Sequence, residues 1–239
     1  MKNLLQSEWL KIKKTRIWWL IIISPILAGI ACSAVPIPGE LGWLMLLSIG
    51  GSIHALLFLP LMVAVFAAFV CRYEHQHNGW KQLFSMPVKR GRVFLAKYLT
   101  VLGFVFANQV IFTSVVIGVG LSRGIEGEFP VDMFLRSFFG GWLATLPLAA
   151  LTLWVAVVWS SFAAAVTVNV ILTMPNLLIV NSETIAPLYP WAQPFLMMLP
   201  PVEDSFAGFI QLESLLVAIL GGLVVFFIGG LVSIQRKAV

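Results

Sequence analysis

The sequence contains six apolar stretches, each long enough to cross a lipid bilayer. They limit the folds that this chain can adopt more than any other feature of its sequence. A transmembrane helix needs about 20 mostly apolar residues to cross a hydrocarbon core of about 30 Å. Hydrophobic residues make up 60% of the chain and charged residues only 10%, which is far from the composition of a soluble protein. We therefore predict an all-α membrane protein, with an N-terminal interfacial helix over residues 1–16 and a six-span transmembrane domain over 17–239. The predicted spans are about 17–35, 43–70, 98–121, 134–158, 162–180 and 215–234.

The distribution of charge predicts how these spans are oriented. Loops on the cytoplasmic side of a membrane protein are enriched in Lys and Arg. Thirteen of the fifteen Lys and Arg residues lie in three segments, 1–16, 72–97 and 236–237, whereas the remaining loops hold eight of the ten Asp and Glu residues. Both termini are therefore expected on the cytoplasmic side of the plasma membrane. Since the basic residues flank apolar stretches, topology explains the net charge of +5 better than nucleic-acid binding does.

The loop Arg72–Lys97 is the only long polar segment of the sequence, and it holds six Lys and Arg residues against the single acid Glu74. Residues 78–86 have the pattern of a short amphipathic helix, which Pro87 would end because proline has no N–H and disfavours helix in the preceding residue. The apolar residues on one side of this helix would be Trp80, Leu83 and Phe84. Such a face suits either the lipid headgroup layer or a groove on a soluble partner.

Two further segments are predicted to lie at the membrane surface. Leu5, Trp9 and Ile12 recur at helical spacing among the basic residues of segment 1–16, as in a helix that lies in the interface. The alternative is that these basic residues only flank the first span. Residues 181–213 contain five prolines, no Lys or Arg, and the apolar sequence WAQPFLMML, which is too short to cross. An outer re-entrant hairpin is expected there, and it requires a backbone enclosed by protein.

Residues that several kinds of chemistry require are missing from the sequence. No Asp, Glu, Lys or Arg falls in the middle of a predicted span, which disfavours a carrier driven by an ion gradient. The GxxxxGK[ST] phosphate loop is absent, so the chain is not expected to bind ATP itself. The sequence also lacks the GxSxG serine expected of an intramembrane protease. The EHQH sequence at 74–77 does not have HExxH spacing, and no metal site is expected.

Neutral polar residues within the spans have two interpretations. Such side chains most often join helices through hydrogen bonds, and they can instead contact a substrate. The aromatic residues of the outer hairpin suit an amphipathic ligand but are also common membrane anchors. The candidates for a substrate pathway are Asn108, Gln109, Thr113, Asn169, Tyr189 and Trp191.

The polar loop resembles the first cytoplasmic loop of type-2 ABC exporter permeases, in which an acidic residue, an Asn-Gly pair, a Leu, a Pro and trailing basic residues recur. The matching residues are Glu74, Asn78, Gly79, Leu83, Pro87, Arg90 and Lys97. The N-terminal sequence QSEWLKIKKTR, the six spans and the proline-rich hairpin are similar to the same family. More narrowly, NGWKQLFSMPVKR and APLYPWAQP resemble permeases of lantibiotic self-protection transporters, which expel antimicrobial peptides from the producer's membrane.

This resemblance implies a permease subunit, not an enzyme, that moves an amphipathic peptide or lipid-like substrate out of the membrane. The chain would bind no cofactor, because ATP and Mg would be bound by a separate ABC ATPase subunit. Its other partners would be a second permease subunit and membrane lipids. No binding to nucleic acid is expected. The loop helix would be the coupling helix, with a coupling site made of Glu74, Asn78, Gly79, Trp80, Leu83, Phe84, Pro87 and Arg90.

The residues alone leave two alternatives to transport. One is a membrane enzyme that modifies lipid, with His54 or the EHQH sequence as its catalytic element. The other is a structural or sensory membrane protein that transports nothing itself. An ATPase partner would discriminate the permease from both.

Overall fold

The fold is built from helices. The computed structural model describes residues 1–13, 15–36, 42–76, 79–200 and 211–237, and all regular elements in these ranges are helical. The α-helices are α1 (Lys2–Ile12), α2 (Ile17–Ala34), α3 (Gly42–Ile53), α4 (Leu59–His75), α5 (Gly79–Ser85), α6 (Arg90–Ser122), α7 (Val131–Val158), α8 (Phe162–Thr173), α9 (Asn176–Ile179), α10 (Gln193–Met198) and α11 (Leu212–Arg236). A π-helical turn, His54–Phe58, joins α3 to α4, and a 3-10 turn, Ala186–Leu188, precedes α10.

Six helical segments are long and apolar enough to cross a membrane, which confirms the predicted all-α class and number of spans. They are Ile17–Ala34, Gly42–His75, Arg90–Ser122, Val131–Val158, Phe162–Ile179 and Leu212–Arg236. The second span continues to His75, and the third begins at Arg90 rather than at Tyr98. The polar loop is therefore shorter than its sequence suggested, because both of its ends are helical. Residues His77 and Asn78 of the polar loop and residues 201–210 of the predicted hairpin lie outside the described residues.

Helix α7 packs against α4, α6, α10 and α11, so it lies at the centre of the bundle. A glycine on α7 permits this close packing, because a Cβ at Gly141 would lie 2.4 Å from Gln109 Nε2 and 2.5 Å from Met198 Cγ. Small residues at helix crossings let neighbouring backbones approach in membrane proteins. Every residue of α10 is buried. Protein thus encloses the segment before the last span, which is the condition for a re-entrant hairpin, and the hairpin itself stays a prediction.

The basic segments gather at one end of the bundle. Helix α1 packs against α6 and α4, while α5 packs against α4. At the same end, Lys237 Nζ donates a hydrogen bond to Val157 O at 2.6 Å, and His75 Nε2 lies 2.7 Å from Ala156 O. We call this the basic end. The grouping agrees with the charge pattern of the sequence, and the side of the membrane on which it lies stays a prediction.

Candidate functional site

The short helix α5 lies at the basic end with one face against the bundle. Trp80 is buried, and Leu83 and Phe84 are half-buried. The exposed residues of the segment are Lys81, Gln82, Ser85, Met86 and Pro87. The amphipathic pattern of the sequence is therefore present, but the apolar face is turned toward the protein itself. The polar face is the one left open.

Gly79 determines how closely α5 folds back onto the end of α4. A Cβ at this position would lie 2.8 Å from the Cα of Glu74 and 2.9 Å from the carbonyl oxygen of Tyr73. Both are backbone atoms, which cannot rotate away as the end of a side chain can. The Gly79 N–H also donates to Gln76 O at 3.0 Å, which ties the start of α5 to the residue after α4. Only glycine fits at this position without moving α5.

Trp80 connects α5 to two spans through hydrogen bonds. Its indole Nε1 donates to His75 Nδ1 at 3.2 Å, and His75 Nε2 lies 2.7 Å from Ala156 O. An imidazole that accepts at Nδ1 carries its proton on Nε2, so His75 donates to the Ala156 carbonyl. The ammonium groups of Lys97 and Lys237 lie 5.8 Å and 5.3 Å from the Trp80 ring centre, within cation–π range. Burial lowers the pKa of the Lys237 ammonium from its ordinary value.

Beside Trp80, four charged side chains from α1, α4 and α6 form a closed network, which we call the ion cluster: Glu8, Lys11, Glu74 and Lys97. Lys97 Nζ lies 2.7 Å from Glu74 Oε2 and 3.1 Å from Glu8 Oε2. Lys11 Nζ lies 2.6 Å from Glu74 Oε1 and 2.7 Å from Glu8 Oε1. Lys97 also donates to Val70 O at 2.9 Å, and its side chain is 0% exposed. Two cations and two anions balance, as charges removed from water require.

The ion cluster was not predicted from the sequence. Lys97 was placed at the end of the polar loop and Glu74 in the coupling site, whereas both side chains are buried between helices. A signal was present, because Glu8 and Glu74 are the only acids within two strongly basic segments. When one of the surrounding cations becomes buried, such an isolated acid is available to form an ion pair with it.

Arg90 connects the C-terminal side of the α5 loop to the last span. Its guanidinium lies 4.4 Å from the ring centre of Phe84 and donates to Gln235 O at 2.8 Å and Lys237 O at 3.0 Å. Arg90 thereby joins the exit from α5 to the end of α11. The residues of the predicted coupling site thus fall into two groups: buried or half-buried residues that attach α5 to the spans, and exposed Pro87. Asn78 lies outside the described residues.

Comparison with known proteins identifies the family. The sequence model for the ABC-2 family transporter protein matches residues 4–176, from α1 to the first residue of α9. The chain belongs to this family. It is therefore an ABC permease, a transporter membrane subunit rather than an enzyme, as the loop motif predicted. A search of curated proteins finds no match.

In the permease, Asn108 joins α6 to α2 at a proline. Pro25 has no N–H, so the carbonyl of Ile21, one turn earlier, lacks its usual helical donor. Asn108 Nδ2 donates to Ile21 O at 2.7 Å and to Ser24 Oγ at 3.0 Å. Asn108 is 0% exposed, so this predicted pathway residue serves helix packing in the conformation described.

Two more asparagines bond to backbone carbonyls near Pro60, Asn169 of α8 to one in α4 and Asn176 of α9 to one in the π-helical turn. Pro60 leaves Leu56 O without its helical donor, and Asn176 Nδ2 donates to that oxygen at 2.9 Å. Asn169 Nδ2 donates to Pro60 O at 3.0 Å. Trp191 Nε1 completes the group by donating to Asn169 Oδ1 at 2.7 Å. Asn169 and Trp191, both proposed for the substrate pathway, thus stabilise one kinked region.

The remaining pathway candidates are distributed over the bundle. Tyr189 donates its hydroxyl hydrogen to Leu172 O, next to Trp191. Gln109 is buried and donates to Met198 Sδ at 3.4 Å. Thr113 is half-buried. The six candidates therefore do not line one cavity, and most of them bond to neighbouring helices.

The histidines considered for catalysis are placed differently. His54 lies in the π-helical turn, is 0% exposed and stacks on Phe112 with ring centres 4.1 Å apart. His75 has both ring nitrogens engaged, as described above, and His77 lies outside the described residues. His54 is thus fully buried, whereas His75 is half-buried and bonded to two neighbouring elements.

Proposed function

We propose that this permease is the membrane subunit of an ATP-driven exporter and that α5 is the helix on which a separate ATPase subunit acts. The observation that supports this most is the attachment of α5. Its inward face is held by Trp80 to His75 and to the ion cluster, whereas its outward face is open. An element that receives force from a partner needs both a free face and a firm connection to the spans.

The connections of α5 define a route for the motion. A push on α5 would reach α4 through the Trp80–His75 hydrogen bond and α7 through the His75–Ala156 contact. It would reach α6 through Lys97 and α11 through Arg90. Packed helices respond to such a push as rigid bodies rather than by gradual deformation. ATP and Mg bound by the ATPase would thereby switch the spans between two arrangements, with the termini and α5 on the cytoplasmic side.

For the substrate, we propose an amphipathic peptide of the lantibiotic type or a lipid-like molecule, exported between two permease subunits. The proposal rests on the resemblance of two loop sequences to lantibiotic self-protection permeases. Because Trp191 and Met198 are buried in the conformation described, their segment would have to move before it contacted a substrate. The second permease subunit would be another copy or a related chain, since cyclic two-fold assemblies are the commonest.

Cysteine cross-linking in native membranes tests the coupling proposal. Ser85→Cys, on the open face of α5, should cross-link to a chain that mass spectrometry identifies as an ATPase. Ser122→Cys, exposed at the opposite end, is the matched control and should not. The native residues Cys32 and Cys71 are both buried, which limits background. Cross-linking from Ser122→Cys alone, or labelling of Ser85→Cys by an impermeant maleimide added to intact cells, would overturn the proposal.

Transport assays test the substrate. Inside-out vesicles that contain the permease and its ATPase should accumulate a fluorescent amphipathic peptide when ATP is added, and vesicles with a hydrolysis-deficient ATPase should not. A fluorescent phospholipid measured in parallel distinguishes the two substrate classes. Absence of ATP-dependent movement of both would contradict this part of the proposal and leave the coupling assignment standing.

A further inference from the structure

A large groove opens on the lateral surface of the permease, between α1, the start of α2 and the first part of α6. Its volume is about 900 Å³, the size that drug-like ligands occupy in proteins. Most of its lining is apolar, and the aromatic side chains in it are Trp9, Trp18 and Phe104. These rings form a continuous wall, with Trp9 and Trp18 centred 5.4 Å apart and Trp18 and Phe104 6.0 Å apart.

The floor of the groove follows the third span into the bilayer. The lining residues of α6 run from Thr100 to Ala107 and lie on one face of the helix. At 1.5 Å per residue, this face extends about 10 Å along the helix axis. Gly103, in the middle of the floor, has no atom within 4 Å of where a Cβ would stand, so the groove is open there. This shape suits a narrow, elongated apolar group.

The end of the groove nearest α1 is polar. Lys2 and Gln6 line it, and both are exposed. A lysine placed where an apolar groove reaches the interface attracts the phosphate of a lipid headgroup, a contribution of roughly 1 kcal/mol per basic residue. A helix from a second copy would instead leave this cation against an apolar surface. The charge therefore favours a lipid over a protein as the occupant.

We propose that this groove is a binding site for one anionic phospholipid, with an acyl chain along the Thr100–Ala107 face and the phosphate at Lys2. The site is separate from α5 and the ion cluster, and it does not depend on what the permease exports. The lipid would fill the space between α1 and the third span. It would thereby hold α1 against the bundle from the side opposite to Glu8.

Native mass spectrometry of the full-length permease, released from nanodiscs of mixed phosphatidylglycerol and phosphatidylcholine, tests the site. The wild type should retain one phosphatidylglycerol molecule in preference to phosphatidylcholine. Gly103→Leu, which fills the floor, should lose that molecule. Gly118→Leu is the matched control, because Gly118 lies on the same helix, is also open around its Cβ position and does not line the groove.

A second variant separates the headgroup from the acyl chain. Lys2→Gln should reduce the preference for phosphatidylglycerol about fivefold while an acyl lipid remains bound. Equal lipid retention by all variants would mean that only surrounding bilayer lipid is present, and it would overturn the proposal. A wild type that appears as a dimer without lipid, and that Gly103→Leu converts to a monomer, would assign the groove to a second copy and equally overturn it.

Discussion

Replacing Lys97 by Met tests whether the ion cluster holds the basic end together. The variant keeps an unbranched side chain of similar length but removes the ammonium that contacts Glu74, Glu8 and Val70 O. Glu8 and Glu74 would then share Lys11 alone. The ion cluster would then change from neutral to a net negative charge, although most of its side chains are buried.

The expected effect follows from the burial of these side chains, of which Lys97 is 0%, Glu74 2% and Glu8 5% exposed. Removing one partner of a buried ion pair lowers the free energy of unfolding by about 3–5 kcal/mol, because an unpaired charge remains. For a chain of this size, that corresponds to a fall of roughly 10 °C in the midpoint of thermal unfolding. Lys89→Met is the matched control, since Lys89 is exposed on the same loop, and it should change stability by less than about 0.5 kcal/mol.

A double variant distinguishes charge imbalance from lost packing. Lys97→Met combined with Glu74→Gln removes one cation and one anion, which leaves Glu8 and Lys11 as a balanced pair. Its loss of stability should be smaller than the sum of the two single losses by about 2 kcal/mol. Thermal unfolding in detergent, followed by tryptophan fluorescence, compares the wild type with Lys97→Met, Glu74→Gln, the double variant and Lys89→Met. Two results would refute the role given to the ion cluster. One is an equal unfolding midpoint for Lys97→Met and Lys89→Met, and the other is a double-variant loss of stability equal to the sum of the two single losses.

Three further predictions follow from close contacts in the bundle. Gly79→Ala should push α5 off the end of α4 and speed tryptic cleavage in the loop, whereas Gly91→Ala, where a Cβ meets only ordinary contacts, should not. Asn108→Leu should lower the free energy of unfolding by about 1 kcal/mol. The loss should be smaller in a Pro25→Ala background, where the missing N–H is restored, and equal losses in both backgrounds would contradict the role of Asn108 as the donor to Ile21 O. Gly141→Ala should destabilise the permease by about 1–3 kcal/mol in the same thermal assay, and an unchanged midpoint would mean that α10 is not tightly packed.

The number of spans and their helical class could be predicted because they depend on length and hydropathy alone. About 20 apolar residues can satisfy their backbone in lipid only as a helix or a closed barrel, and no alternating pattern competes here. The residue types of the polar loop likewise resembled those of type-2 ABC exporter permeases, and the match to the family model confirms that resemblance. The amphipathic pattern of α5 was also predicted, with limits close to the observed Gly79–Ser85.

The direction in which the apolar face of α5 points could not be predicted. A helical pattern states which residues share a face, but not whether a lipid, a partner or the chain itself covers it. The ion cluster was missed because it joins residues separated by 63 and 89 positions, and the isolated acids of the basic segments do not show which cations they will contact. The roles of Asn108 and Asn169 depend on the same kind of information. Asn108 bonds to the carbonyl of Ile21, one turn before Pro25, and Asn169 bonds to the carbonyl of Pro60 itself, which sequence spacing cannot reveal.

The ion cluster also has a consequence for biosynthesis. Glu8 leaves the ribosome 89 residues before Lys97, a delay of roughly 5 to 20 seconds at ordinary translation rates. During that interval the Glu8 carboxylate has no counterion from the third span. Helix α1 is therefore expected to stay at the membrane–water interface. We therefore expect α1 to dock late in assembly, so that an antibody or protease directed at the nascent N-terminus would lose access only once Lys97 has been inserted.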